Sequence, residues 1–408
     1  MSLSLRLTLF ACFLSTVASA AGASPEQLLD QGRALRQSGR FDDAVKVLRK
    51  SYGRARSGDV AAAVRYEAAR SLIEAGKQKQ ALAECRTLGP VAPAKADACR
   101  AEAYLLWRRA SLALPSAERA LSRAPKDYDA LVAKGRALRQ MGKPKEAEQA
   151  LRDALTSDGK RYEAHLELGE LLSAQGQKKR AIAELEKAHQ LAPREPAPLL
   201  VLGQELPAGK AAAAHLAEAI KIRPQYGAAH ARLGEVLLAQ GDTAGAEAAL
   251  QKALAVDGKQ ADWRAALGRV LLAKGDATAA LAEAQAALKL VSNNGAAKLV
   301  AADALAAKGD IDLAIEAYEQ AHGYARTDPT PLVHAAKACL AQARPTTARA
   351  FADRATQSFP KHGPGWEVLG DVHAHAKETA AARKAYLHAL KSTGTDRARV
   401  QKKLAALK

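Results

Sequence analysis

The chain has 408 residues and a formal charge of +18, with 61 Lys and Arg against 43 Asp and Glu. Aromatic residues make up only 4% of it. That leaves no base-stacking platform and no basic stripe interleaved with aromatics, so nucleic acid is excluded as the expected partner. The charge is uneven: residues 21–127 hold 20 basic and 12 acidic side chains, 128–227 hold 16 and 13, 228–328 hold 10 and 13, and 329–408 hold 14 and five. Both ends are basic and the centre is near neutral, a distribution open to an anionic envelope polymer, lipid head groups or an acidic protein.

Residues 1–20 read as a signal peptide. Arg6 precedes an apolar run from Leu7 to Val17, and Ala18-Ser19-Ala20 offers small residues where a signal peptidase cuts. About 20 apolar residues are needed to span a bilayer, more than this run supplies. The reading predicts a mature protein in the bacterial periplasm, or secreted. Cys12 leaves a lipoprotein as the alternative, although Phe10 is bulky for that motif.

Beyond residue 20 a period near 34 dominates. Gly135, Gly169, Gly203, Gly234 and Gly268 follow one another at gaps of 34, 34, 31 and 34, the spacing of a repeated helix-turn-helix unit. From Tyr162 the unit reads His165, Leu168, Gly169, Leu172, Gly176, Ala181, Leu185, Ala188 and Pro193, at positions 4, 7, 8, 11, 15, 20, 24, 27 and 32. Units opening at Tyr128, Gly227, Ala261 and Gly363 hold the same frame, the last with Trp366 at position 4. This pattern resembles the tetratricopeptide repeat. Small residues at 8, 20 and 27 let two helices cross closely, and large ones at 4, 7, 11 and 24 fill the space between them. Glycine at 15 suits a left-handed turn between the helices.

Weaker units open at Pro25, Ala62, Ala94, Pro196, Gly295 and Pro329; Arg108 replaces glycine at 15 in the third, and the unit at 196–226 has lost three residues near Leu206-Pro207-Ala208-Gly209. The resemblance implies an all-α, right-handed superhelical solenoid of about eleven repeats. Its expected divisions are degenerate units over 21–127, central units over 128–328 with the irregular one at 196–226, C-terminal units over 329–394, and a capping helix over 395–408 carrying Val400, Leu404 and Leu407 at helical spacing.

Export permits disulfides. Cys85 and Cys99 fall on helices expected to be antiparallel neighbours, so the spacing leaves two readings open, a disulfide or two buried small apolar residues; Cys339 reads as core.

In the family that the chain resembles, positions 2, 5, 6, 9, 12 and 13 of the first helix line a concave groove. Carried over, these positions nominate Arg33, Arg36, Arg136, Arg139, Glu167, Glu170, Glu235, Leu238, Arg269 and Leu272 as partner-binding residues. Arg33 with Arg36, and Arg136 with Arg139, stand at i and i+3 on one helix face, where paired guanidinium forks grip a carboxylate or phosphate. Position 9 is never Asn, so the terminal-carboxylate clamp of chaperone-binding members is not expected. No phosphate loop, nucleophile elbow or zinc-protease helix is present, and His373 and His375, at i and i+2, face different directions. The expectation is a monomeric, non-enzymatic scaffold with no cofactor or metal, binding a protein or peptide in its groove and assisting assembly of an envelope complex for secretion, pilus formation or polysaccharide export. The alternative is a module binding anionic polymer or lipid through its basic ends.

Overall fold

The computed structural model describes residues 23–407, so the proposed signal peptide and Cys12 lie outside the described residues. Among the described residues there are 23 helices, eleven antiparallel pairs and one further helix. The first pair is α1 (Pro25–Gln37) and α2 (Phe41–Arg49), followed by α3 (Gly58–Glu74) and α4 (Gln78–Thr87), α5 (Pro93–Leu106) and α6 (Ala110–Arg123), and α7 (Tyr128–Gln140) and α8 (Pro144–Ser157). Next come α9 (Tyr162–Ala174) and α10 (Lys178–Leu191), and α11 (Pro196–Glu205) and α12 (Lys210–Ile222). The chain continues with α13 (Gly227–Ala239) and α14 (Thr243–Val256), α15 (Ala261–Ala273) and α16 (Ala277–Leu290), and α17 (Gly295–Lys308) and α18 (Ile311–Tyr324). It ends with α19 (Thr330–Ala341) and α20 (Pro345–Ser358), α21 (Gly363–His375) and α22 (Thr379–Lys391), and α23 (Arg397–Ala405). The chain forms two compact units, Met1–Tyr226 and Gly227–Lys408.

The periodic small residues do what packing requires of them. A Cβ at Gly169 would sit 2.7 Å from Leu185 Cγ, so position 8 is the hole and position 24 the knob. Where position 24 shrinks to Ala284, Val300 of the next repeat fills the space against Gly268. Position 15 is left-handed in every pair but one: seven glycines there have φ between 71° and 89°, and Arg108, Ala343 and Lys377 hold the same region at 54°, 54° and 61°. The exception is the shortened unit, whose α11 has 10 residues and ends in extended backbone at Leu206. Helix α3 differs from expectation, beginning four residues ahead of Ala62; the helix-forming Ala61-Ala62-Ala63 run lets it extend back to Gly58.

Helix ends are closed by local chemistry. Ser24 and Gln27 form a reciprocal capping box ahead of Pro25 in α1, and Asp127, Asp242, Asp276, Asn294 and Asp396 each accept a backbone N–H in the first turn of the helix that follows. Cys85 at the end of α4 and Cys99 in α5 are joined in a disulfide with Cα atoms 5.6 Å apart, and Cys339 is a buried free thiol. The last helix, α23, seals the end of the second unit: Val400 is fully buried with Ala382, Tyr386 and Ala389, and Leu404, Leu407 and Trp366 pack around them.

Candidate functional site

In the unit Met1–Tyr226, side chains from the first helices of successive repeats meet in pairs. Arg33 and Arg36 both reach Glu67 in α3, Arg33 Nε at 3.8 Å and Arg36 in a shorter contact. The same arrangement recurs three repeats on: Arg136 Nε and Arg139 Nη2 each lie 2.8 Å from Glu167, and Arg139 is also 2.8 Å from Glu170. The arginine pairs thus grip a carboxylate, as their spacing predicts, but the carboxylate belongs to the next repeat of the same chain.

Arg36 corrects the expectation of an open groove most sharply. It is 3% exposed. Its Nη1 donates to Glu74 at 2.5 Å and its Nη2 to Glu195, 159 residues further along, at 2.6 Å. Gln37 also donates to Glu195, at 3.1 Å. Arg223 completes the cluster, bonding Glu74 at 2.8 Å and the Gln37 carbonyl at 3.1 Å, with its guanidinium over the Phe41 ring at 5.3 Å. Burial and the Arg70 charge oppose the proton on Arg36, but Glu74, Glu67 and Glu195 outweigh them and raise its pKa. Burial likewise works against the Glu74 carboxylate, which Arg36 and Arg223 keep ionised with a lowered pKa. The first repeat is therefore clasped to the sixth. A cavity of about 440 Å³ remains inside this unit, walled by further internal pairs: Arg70 with Glu163 at 3.1 Å and Arg161 with Asp129 at 2.6 Å. These charges are committed to one another, so Arg36, Arg136, Arg139, Glu167 and Glu170 hold repeats together rather than standing free for a ligand.

The unit Gly227–Lys408 is different in character. Glu235 accepts from Arg232 at 3.0 Å and from Arg269 at 3.4 Å on an exposed face. Leu238 and Leu272 are half-buried: Leu238 packs on the cluster of Leu250, Leu267 and Val270, and Leu272 on that of Ala284, Val300 and Ala304. Both are packing residues, because position 12 is drawn into the seam between repeats.

Between α17 and α19 lies an open cavity of about 510 Å³, walled by Ala306, Ala307, Ala338 and Ala341 and by the polar Asp303, Tyr318, His334, Lys337 and Gln342. The Tyr318 hydroxyl donates to Asp303 at 2.6 Å, and His334 Nδ1 shares hydrogen bonds with both carboxylate oxygens at 3.0 Å. Burial, reinforced by the Asp303 charge, raises the Tyr318 pKa and keeps the phenol protonated as a donor. At the end of the unit α23 supplies two cations to the last repeat: Arg399 bonds both oxygens of Glu367 at 2.7 Å, and Lys403 bonds Glu367 at 2.8 Å and Asp371 at 2.7 Å. Tyr318 and His334 were not legible as site residues one at a time. The signal that finds His334 is its spacing of 31 from Asp303, which equals that between Arg136 and Glu167, and the signal that finds Tyr318 is its spacing of 15 from Asp303, repeated between Asp371 and Tyr386. Among the described residues no helix is long and apolar enough to cross a membrane, and no cluster of three His, Cys, Asp or Glu is arranged to hold a metal ion.

Family models for the tetratricopeptide repeat match residues 29–93, 100–159, 132–196, 265–329 and 335–397, and a second such model matches 208–270. No curated protein matches the sequence. Among solved structures, the chain is similar to yeast Tom70, at 13% identity over 94% of this chain and 95% of that one with a TM-score of 0.49. It is also similar to a chain of the APC/C hetero-tetramer Cut9–Hcn1, at 14% identity over 98% and 94% with a TM-score of 0.50, a likeness of fold alone. With matches over most of the sequence and helix pairs in the matching frame, the chain belongs to the tetratricopeptide repeat family.

Proposed function

We propose that this protein is an exported, non-enzymatic scaffold that binds a segment of a partner protein along the first helices of the unit Gly227–Lys408 and assists assembly of an envelope complex. One contrast carries this reading. Groove-position charges of the first unit are largely spent on one another and on the Arg36 clasp, whereas the second unit keeps an open cavity with alanine walls and a few polar groups at its edge. Such a surface suits an extended or helical peptide oriented by a small number of charges. Export is supported by the residues ahead of Ala21 and is consistent with the Cys85–Cys99 disulfide.

The rival is a module that holds anionic polymer or lipid through basic ends, favoured by the 14 Lys and Arg against five Asp and Glu in residues 329–408. Salt separates the two, because contacts between exposed charges weaken with ionic strength and apolar contacts do not. The mature protein is crosslinked in the envelope and its captured species identified at low and high salt. A discrete protein recovered at both, and lost with Ala307→Arg in a chain of unchanged helicity, is the expected result. Glycan or lipid captured at low salt alone overturns it. Leu238 and Leu272 are unsuitable probes, since charging either would disrupt repeat packing.

A further inference from the structure

Position 9 of the first helix carries a charge in ten of the eleven repeats, and all but one of these charges are engaged. Arg33 lies near Asp30 and Glu67, Arg70 bonds Glu163, and Glu102 accepts from Tyr66. Arg136 pairs with Glu167, Glu170 with Arg139, and Glu235 with Arg269. Asp303 takes Tyr318 and His334, and Asp371 takes Lys403 and Tyr386. Lys337 is the exception: among the described residues no carboxylate oxygen lies within 4.0 Å of its ammonium. The cause is visible one repeat on. The residue 31 further on, which carries the partner in the Arg136–Glu167 and Asp303–His334 pairs, is here the buried Val368, and Asp371, the position 9 residue of that repeat, is claimed by Lys403 and Tyr386.

Lys337 also lines the open cavity of about 510 Å³. The one carboxylate in that cavity, Asp303, is already hydrogen-bonded to Tyr318 and His334, which leaves the Lys337 ammonium open to an incoming carboxylate. The alanine walls give an apolar side chain room beside it. Residues 329–408, with 14 basic side chains to five acidic, add a field of the same sign.

We infer that the cavity between α17 and α19 binds an acidic segment of a partner protein, with a bulky apolar side chain seated on the alanines and an adjacent Asp or Glu held by Lys337. This rests on the scaffold reading and names the partner's chemistry. The apolar group supplies most of the affinity, and the charge selects the sequence.

The test uses the full mature chain and three blocked, fluorescent peptides in anisotropy titrations: one with a Phe-Glu-Glu centre, one with Phe-Gln-Gln and one with Ser-Glu-Glu. The Phe-Glu-Glu peptide is expected to saturate, to bind about tenfold tighter than Ser-Glu-Glu, a difference of about 1.4 kcal/mol, and to bind about threefold tighter than Phe-Gln-Gln. Lys337→Glu reverses the preference between the first two. Ala307→Trp fills the cavity and weakens all three; Ala341→Trp serves if that variant fails to fold. No saturable binding, equal binding of the Glu and Gln peptides, or an unchanged preference in Lys337→Glu overturns the inference. An envelope protein captured equally by wild type and Lys337→Glu leaves the scaffold reading standing and also overturns the acidic site. Failure of wild type to capture any protein, with the peptide preferences as expected, sinks the scaffold reading and leaves the acidic site.

Discussion

At position 15 the chain turns between the two helices of a pair, and in every pair but the shortened one the backbone there is left-handed whether or not glycine is present. Ala343 and Lys377 hold φ of 54° and 61° on exposed turns. Left-handed geometry costs a residue with a Cβ about 1–2 kcal/mol, and the greater freedom of glycine in the unfolded chain returns about 0.5–1 kcal/mol of that. Ala343→Gly and Lys377→Gly are therefore each expected to stabilise by about 0.5–1 kcal/mol, read as a higher denaturation midpoint, and Gly176→Ala, at φ 74°, to lower it by a similar amount. A fall in midpoint for both glycine variants would contradict this account. The same position shows why so much was legible in the sequence. Position 15 glycines, the position 8 holes and the position 24 knobs each answer a local steric demand, and local demands leave a period. Arg108, lacking glycine, obeys the turn because its neighbours impose it.

Among the elements, the short α11 follows from three missing residues, and the terminal helix from the apolar spacing of Val400, Leu404 and Leu407. What the terminal helix does with its cations was not legible, because it depends on which repeat α23 stacks against. Burial alone would raise the Glu367 pKa, but hydrogen bonds from Arg399 and Lys403 hold it down to about 2, against roughly 4.3 for an unperturbed Glu. A carboxylate with a depressed folded pKa contributes stability above its unfolded pKa and loses it as pH falls through the folded value. The attachment of α23 should thus be constant above roughly pH 5 and weaken between roughly pH 4 and 2. Trp366 packs in the α23 cluster, so its fluorescence in a chain with Trp107→Phe and Trp263→Phe reports the step. Glu367→Gln should loosen α23 at neutral pH and flatten the acid dependence; an unaltered profile would count against the clamp.

At the scale of the whole molecule, each compact unit has its own logic, and that of the first was hidden from any reading by period. Arg36 and Glu195 stand 159 residues apart, and no window of one or two repeats contains both. The residues that repeat spacing nominates for partner binding in this unit accordingly turn out to be committed within it. Removing one member of a buried ion pair costs about 3–5 kcal/mol, because its partners remain buried and uncompensated. Arg36→Ala strands Glu67 and Glu195, which are 4% and 5% exposed, and should lower the stability of this unit by that order. Hydrogen exchange should quicken in α1 and α11 together, and quickening in α1 alone would refute the clasp. The clasp also changes how this unit fits the usual arithmetic of repeat arrays. Their stability is ordinarily a sum of intrinsic and nearest-neighbour contributions, with fraying tolerated at an open end. Tying the first repeat to the sixth adds a long-range coupling, so deletion of α11 and α12 would be felt first at the opposite end of the unit, by α1.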